Sequence, residues 1–467
     1  MEPLLPPPVP SDIVRRGYLL YLASAIAASG GMIFGYDLAV IGGAILFIRV
    51  EFALPVILVE IVIASALFGA MLGAAGGGKI ADRWGRRPTL LFIAGLGILG
   101  PIASSLAMNV SWLILGRVLT GVCFGMASFV TPLYIAELAP AQSRGRLVTV
   151  YFLAVMVGIL VAYLVDLAFA MMHQWRIMLA MGAVPGVILG IGSAVLPESP
   201  RWLMLQGCSD KACESLRRVR GGADIAGELE TLLKCLNQKL GGWVHLLQPY
   251  LRIVLIIGIG LAIFRMVTGI SIVIFYAPTI FEMSGGQSQS VDILATVGIA
   301  VAQVLATLLV MSLVDRWGRR TLLLIGLAGM VVSLVGLGLA VSPFFPSFQG
   351  TFAEVSLMVF AAFWVIGPGT IFFLLISEIY PANVRALAMS LATTVLWAAY
   401  FLDTLIFLSL LDVLGKSGTF WFNAFLGIIA WWFVYFLVPE TRGISLDEIE
   451  DHWRNHRNPR DLGRPAR

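Results

Sequence analysis

Gly78-Lys79-Ile80-Ala81-Asp82-Arg83-Trp84-Gly85-Arg86-Arg87 returns in shortened form as Asp315-Arg316-Trp317-Gly318-Arg319-Arg320, an offset of 233 residues. Each copy closes a long apolar run. Two further pairs keep the same order. Ala136-Glu137-Leu138-Ala139-Pro140 followed by Arg144 matches Ser377-Glu378-Ile379-Tyr380-Pro381 followed by Arg385, at an offset of 241. Pro197-Glu198-Ser199-Pro200-Arg201 matches Pro439-Glu440-Thr441-Arg442-Gly443, at 242. The chain is therefore built twice on one plan.

Between these markers the sequence is too apolar for a water-soluble surface. Of 467 residues, 59% are hydrophobic and 12% charged, and the mean hydropathy is +0.92. Lipid must cover much of the outside. A helix needs about 20 apolar residues to cross about 30 Å of hydrocarbon. Twelve runs meet that need: 18–46, 55–78, 88–108, 111–136, 147–170, 177–196, 251–281, 291–314, 320–342, 353–377, 386–411 and 418–438. An all-α membrane protein of two pseudo-symmetric six-helix bundles is expected. The 49 glycines mark places where helices approach closely.

Every second connection is basic: Arg15/Arg16, Lys79/Arg83/Arg86/Arg87, Arg144/Arg146, the 198–252 stretch, Arg316/Arg319/Arg320, Arg385 and the tail. The opposite connections hold only Arg49, Arg176 and Lys416. Positive charge stays inside, so both termini are placed in the cytoplasm of a multi-pass protein of the cell membrane, plasma or bacterial inner. The expected divisions are a disordered proline-rich start (1–17), a first bundle (18–196), a cytoplasmic linker with short helices (197–250), a second bundle (251–438) and a cytoplasmic tail (439–467).

Other classes find little support. Cys123, Cys208, Cys213 and Cys235 give no disulfide framework. His452 and His456 share a helical face, but no third ligand lies nearby, so a solvated tail is expected rather than a metal site. Gly76-Gly77-Gly78 lacks a phosphate-loop context, so no nucleotide-driven pump is implied. No cofactor is called for, and no span holds a nucleophile with its base, so the chain is not read as an enzyme. The basic tail suits anionic lipid better than nucleic acid. Asn109-Val110-Ser111 is a glycosylation triplet of little weight.

Taken together, the two Asp-Arg-x-Gly-Arg-Arg turns, Pro197–Leu203, Pro439–Gly443 and Gly269-Ile270-Ser271-Ile272-Val273-Ile274-Phe275-Tyr276-Ala277-Pro278 resemble the sugar porter family of the major facilitator superfamily. The resemblance runs from about Gly31 to Gly443. It implies a monomeric secondary transporter in which two bundles alternate access to a midplane site. It also implies that Asp82, Arg86, Arg87, Glu137, Arg144, Asp315, Arg319, Arg320, Glu378 and Arg385 latch the cytoplasmic side. On the residues alone, Asp82 can pair with Arg86/Arg87 and Glu137 with Arg144, as can their counterparts in the second half. Orientation signals and surface charges are the plainer alternative.

Charged groups inside spans are by default functional. The resemblance assigns proton coupling to Asp37, after Phe34-Gly35-Tyr36, and to Arg117, after Gly116. Coupling needs a carboxylate whose proton affinity changes between states, which making and breaking a pair with arginine supplies. A static ion pair that fixes helix packing is the alternative.

The positions matching the family's sugar site are Phe152, Arg265, Met266, Ser271, Phe275, Tyr276, Gln303, Phe373, Leu396 and Trp397, with Val365 replacing a glutamate. This pocket departs from a hexose site. Two amides of span 7 are replaced by Arg265 and Met266, and arginine only donates. Arg265 then binds an anionic group on the solute, or pairs with Asp37 or Asp403 while the solute is a sugar or polyol, or reaches an aqueous edge. Pro132, Pro278 and Gly367-Pro368-Gly369 are candidate helix breaks beside the cavity. A non-transporting solute sensor remains the alternative from another class.

Overall fold

The computed structural model describes residues 18–139, 144–220, 246, 248–270, 274–275, 289–342, 351–381, 384–444, 446–455 and 458–462. Among them are helices and no strands. Twelve helical segments are long and apolar enough to cross a membrane. Spans 1–6 are Leu20–Glu51, Val56–Trp84, Arg86–Ser105, Val110–Leu138, Thr149–Ala170 and Trp175–Val195. Spans 7–12 are Pro249–Val267, Thr296–Val314, Arg319–Ala340, Phe352–Ile379, Leu387–Phe407 and Ser409–Leu437. They fall on the twelve apolar runs of the sequence, so the all-helical, twelve-span expectation holds.

Small residues let the spans meet. A Cβ on Gly69 of span 2 would lie 3.0 Å from the Cα of Gly121 in span 4, so these helices touch backbone to backbone. Asn109, in the glycosylation triplet, accepts from the Trp112 N–H at 2.9 Å and so caps span 4.

Four irregularities bear on the site. Span 7 is helical to Val267 and breaks at Gly269, whose φ is +97°; Pro278 lies outside the described residues. In span 10, Gly367-Pro368-Gly369 does not interrupt the helix. It widens into a π-turn, Val365–Gly369, which leaves room for the proline ring without ending the helix. Pro132 sits within a continuous span 4. Spans 11 and 12 lie in one helical stretch, Arg385–Leu437, broken at Gly415 with φ +71°.

The segment after span 6 forms two short helices. Ser199 caps Pro200–Leu205 through the Trp202 N–H, and Ser209–Arg220 carries Glu214, Arg217, Arg218 and Arg220 with Ala212, Leu216 and Val219 buried. Glu228 of the expected linker helices lies outside the described residues.

The solvated tail is corrected. Helix Leu446–Arg454 packs on the second half, with Trp453 buried and its Nε1 donating to the Ile379 carbonyl at 3.1 Å. His452 is buried and bonds the Asn458 carbonyl through Nε2 at 2.9 Å. Ile449 and Trp453, at helical spacing, give the helix an apolar stripe that burial rewards.

Candidate functional site

The repeated turns build two matching clasps. Gly85 (φ +98°, ψ +169°) and Gly318 (φ +88°, ψ +164°) occupy a backbone region open essentially to glycine. Each turn exposes the first amides of the next span. Glu198 Oε1 accepts from the N–H groups of Arg86 and Arg87 at 2.9 and 3.2 Å. Glu440 does the same for Arg319 and Arg320, at 2.9 and 3.1 Å. A carboxylate on a helix N-terminus satisfies orphan donors and meets the positive end of the helix dipole. Burial pushes the Glu198 carboxyl up, and the amides of Ser199, Arg87 and Arg86 pull against it.

The arginine side chains turn inward. Arg86 grips Glu137 through Nε and Nη2, both at 3.0 Å, with both side chains buried. Its Nη1 also reaches the exposed Asp82 at 3.1 Å. Arg319 grips Glu378 through Nε at 3.2 Å and Nη2 at 3.0 Å, and Thr441 donates to the same carboxylate at 2.6 Å. The Arg87 side chain donates to the backbone carbonyls of Ser193 and Ala194, and that of Arg320 to the Tyr435 carbonyl.

Asp82 pairs with Arg86 as expected, and Glu137 is held by Arg86 and Glu378 by Arg319, because spans 3 and 9 bring these arginines against spans 4 and 10. Arg385 donates to the Tyr380 carbonyl at 3.0 Å. The side chains of Arg144 and Asp315 lie outside what is described.

The halves meet at the face away from these turns. Glu60 of span 2 is buried and accepts from the Ser409 N–H and Oγ, both at 2.9 Å. Tyr163 of span 5 donates to the Ile274 carbonyl at 3.0 Å. Both bonds join one half to the other.

Asp37 and Arg117 come together in the first half. Arg117 Nη1 lies 2.8 Å from Asp37 Oδ1, and the arginine is 1% exposed. Asp37 Oδ2 and Arg117 Nε and Nη2 have no hydrogen-bond partner among the described residues, so the two side chains are held by one strong bond and leave capacity on both sides. Asp166 of span 5 is also fully buried and packs against the backbone of Gly43 of span 1. Sequence reasoning passed over Asp166 and Glu60, although the rule that selected Asp37 applies equally to any carboxylate in an apolar span.

Between the halves lies an aromatic cluster. Phe34 and Phe124 of the first half pack on Trp397 of the second at 5.3 and 5.4 Å between centroids. Phe152 meets Phe373 at 5.4 Å, Phe275 meets Tyr400 at 5.5 Å, and Trp397 stacks on Tyr400 at 6.1 Å. Met266 and Leu396 are buried in the core, and Gln303 is buried on span 8. Ser271 and Tyr276 lie outside the described residues.

Arg265 is 6% exposed and sits over the rings of Phe373, Trp364 and Phe372 at 4.8, 5.2 and 5.3 Å. Its side chain is buried rather than at an aqueous edge, and Asp37 is held by Arg117. The reason is geometric, since span 7 turns Arg265 toward the rings of span 10. Tyr151, Trp364 and Tyr400 are the neighbours that sequence reasoning missed.

Twelve apolar helices in two like halves, meeting around buried charge and aromatic rings, define a polytopic membrane carrier. The chain belongs to the family described as sugar (and other) transporter, whose model matches residues 23–453. It is 38% identical to the putative metabolite transport protein YwtG of Bacillus subtilis, over 92% of this chain and 94% of that protein. It is 35% identical to the galactose-proton symporter of Escherichia coli, over 95% and 97%. Among solved structures it matches XylE of E. coli, described as a major facilitator superfamily proton:xylose symporter bound to 6-bromo-6-deoxy-D-glucose, at a TM-score of 0.80 and 29% identity, covering 94% of this chain and all of that one. The fold is that of the major facilitator superfamily, and the chain is a transporter rather than an enzyme.

Proposed function

We propose that this protein moves a sugar or closely related small organic solute into the cell together with a proton, by alternating access. The observation that carries the coupling is the buried Asp37–Arg117 pair, joined by one bond at 2.8 Å with polar capacity unused on both partners. A proton on Asp37 removes the charge that holds Arg117. Release of that proton restores the pair, so the first half has two electrostatic states to which solute binding can be linked. Family membership supports the same reading, as does the likeness to the galactose-proton symporter.

The arginine turns face the cytoplasm together with both termini, in keeping with their charge. Residues 18–196 and 251–438 then move as the two bundles, joined by 197–250. Bonds from Glu60 and Tyr163 across the opposite face support a conformation closed to the outside. Arg86, Arg87, Arg319 and Arg320, with Asp82, Asp315, Glu137, Glu378, Arg144 and Arg385, form the latch of the cytoplasmic side, whose pairing changes as that side opens and closes. Phe152, Phe275, Phe373, Trp397 and Gln303 line the solute path, together with Arg265, Met266 and Leu396.

Reconstituted into liposomes with an imposed proton gradient, the wild type should accumulate labelled solute against its gradient. Asp37→Asn should abolish accumulation, by at least tenfold, while solute still equilibrates across the membrane. Accumulation by Asp37→Asn at the wild-type level would remove the coupling assignment.

A further inference from the structure

The buried polar atoms left without partners around the aromatic cluster share one property. Arg265 Nε and Nη1, Gln303 Nε2, Trp397 Nε1, Tyr151 Oη and Tyr400 Oη can all donate, the two hydroxyls accepting as well, and none has a hydrogen-bond partner among the described residues. Four of these five residues sit in connected neighbourhoods. Arg265 lies over Phe373, which packs on Phe152 beside Tyr151, and Trp397 stacks on Tyr400. An unpartnered buried donor costs about 1–3 kcal/mol, and more when it carries charge. A set of donors persisting without acceptors is the imprint of a ligand that brings them.

We propose, building on the transport reading above, that the solute is a sugar acid, a polyhydroxylated monocarboxylate whose carboxylate is received by Arg265. A neutral hexose offers hydroxyls that both donate and accept, which suits amides; Arg265, a guanidinium that only donates, stands where an amide would serve both ways. A carboxylate accepts only, and its pairing with guanidinium gives strong charge-assisted bonds in a dry pocket. The charge also sets the class. Arg117 is occupied by Asp37, so Arg265 is the cation at this cluster whose charge no described carboxylate offsets, which matches a single negative charge better than the double charge of a phosphate monoester. The rings of Phe373, Trp397 and Phe152 supply flat apolar faces for the carbon skeleton. With one proton carried per monoanion, the transported pair is neutral overall, so uptake should respond to the pH gradient and scarcely to membrane potential.

The test measures binding of D-glucuronate, D-gluconate, D-glucose and D-galactose to the full chain in lipid nanodiscs, following tryptophan fluorescence, for the wild type, Arg265→Gln and Arg265→Lys. The wild type should bind at least one of the acids more tightly than either neutral sugar. Arg265→Gln should lower the acid-to-neutral affinity ratio at least tenfold, and Arg265→Lys should fall between. Without ligand, Arg265→Gln should melt no lower than the wild type, since it removes a buried charge that lacks a counter-ion. Preference of the wild type for neutral sugars, an unchanged ratio in Arg265→Gln, or a lower melting temperature of its empty form would each overturn the sugar-acid assignment alone. If neither class binds and neither is taken up into proteoliposomes, the transport reading falls with it.

Discussion

Gly85 and Gly318 show what a single residue contributes to this fold. Both hold a backbone conformation that costs other residues of order 1–3 kcal/mol, and a Cβ on either would run into the carboxylate that caps the next helix. Gly85→Ala should therefore lower the melting temperature in detergent, by an amount consistent with about 1–3 kcal/mol. Gly318→Ala should do the same, and a variant as stable as the wild type would show that the clasp is not strained. The repeat of these glycines was legible in the sequence, and so were the acidic and basic residues around them. The partners of Glu137 and Glu378 were not. Glu137 and Arg144 share a connection and invite pairing on paper, whereas Arg86 reaches Glu137 only because spans 3 and 4 pack side by side. Asp166 was legible and overlooked. Asp166→Asn should alter the pH dependence of uptake if it exchanges protons with the same cleft as Asp37; an unchanged profile would confine it to packing against Gly43.

Helices were the most readable level, because length and apolarity alone determine whether a segment can cross hydrocarbon. Of the expected breaks, the one in span 10 was readable in position and not in kind, Pro132 sits in an unbroken helix, and the break at Gly269 was not foreseen. Gly367-Pro368-Gly369 signalled irregularity in span 10, and the chain answered with a π-turn rather than a gap. That turn is placed between Trp364 and Phe372, two of the three rings around Arg265. In span 7 the break falls at Gly269, four residues beyond Arg265. Gly269→Ala should impair transport more than folding, because its positive φ joins the described helix to the segment that carries Ile274 and Phe275. Uptake in proteoliposomes beside a melting curve separates the two effects. The terminal helix was misjudged for a physical reason. Nine residues with several charges look like a solvated tail until Ile449 and Trp453 find a groove. Trp453→Ala should release it and expose Arg454 to trypsin, at a cost of about 3–5 kcal/mol of local packing.

At the scale of the molecule, the duplication was visible from three repeated motifs. Which face is closed was not visible, since two packings of one sequence differ by only a few kcal/mol. Glu60 and Ser409 hold the closure in this conformation, through two bonds to a buried carboxylate. Hydrogen bonds to charged groups contribute about 1.5–3 kcal/mol each. Glu60→Ala should shift the population toward opening at that face, raising thiol labelling of cysteines introduced beside Phe68 and Phe401 roughly tenfold. Labelling at the wild-type rate would place the closure elsewhere.

Arg86, Glu137 and Glu198 complete one clasp before residue 220, and Arg319, Glu378 and Glu440 complete the other from residue 319 onward. Neither borrows a member from the other. A gene cut between them would yield two polypeptides that each keep their own fastening, and such fragments, made together in one cell, have what they need to reassemble as a working pair.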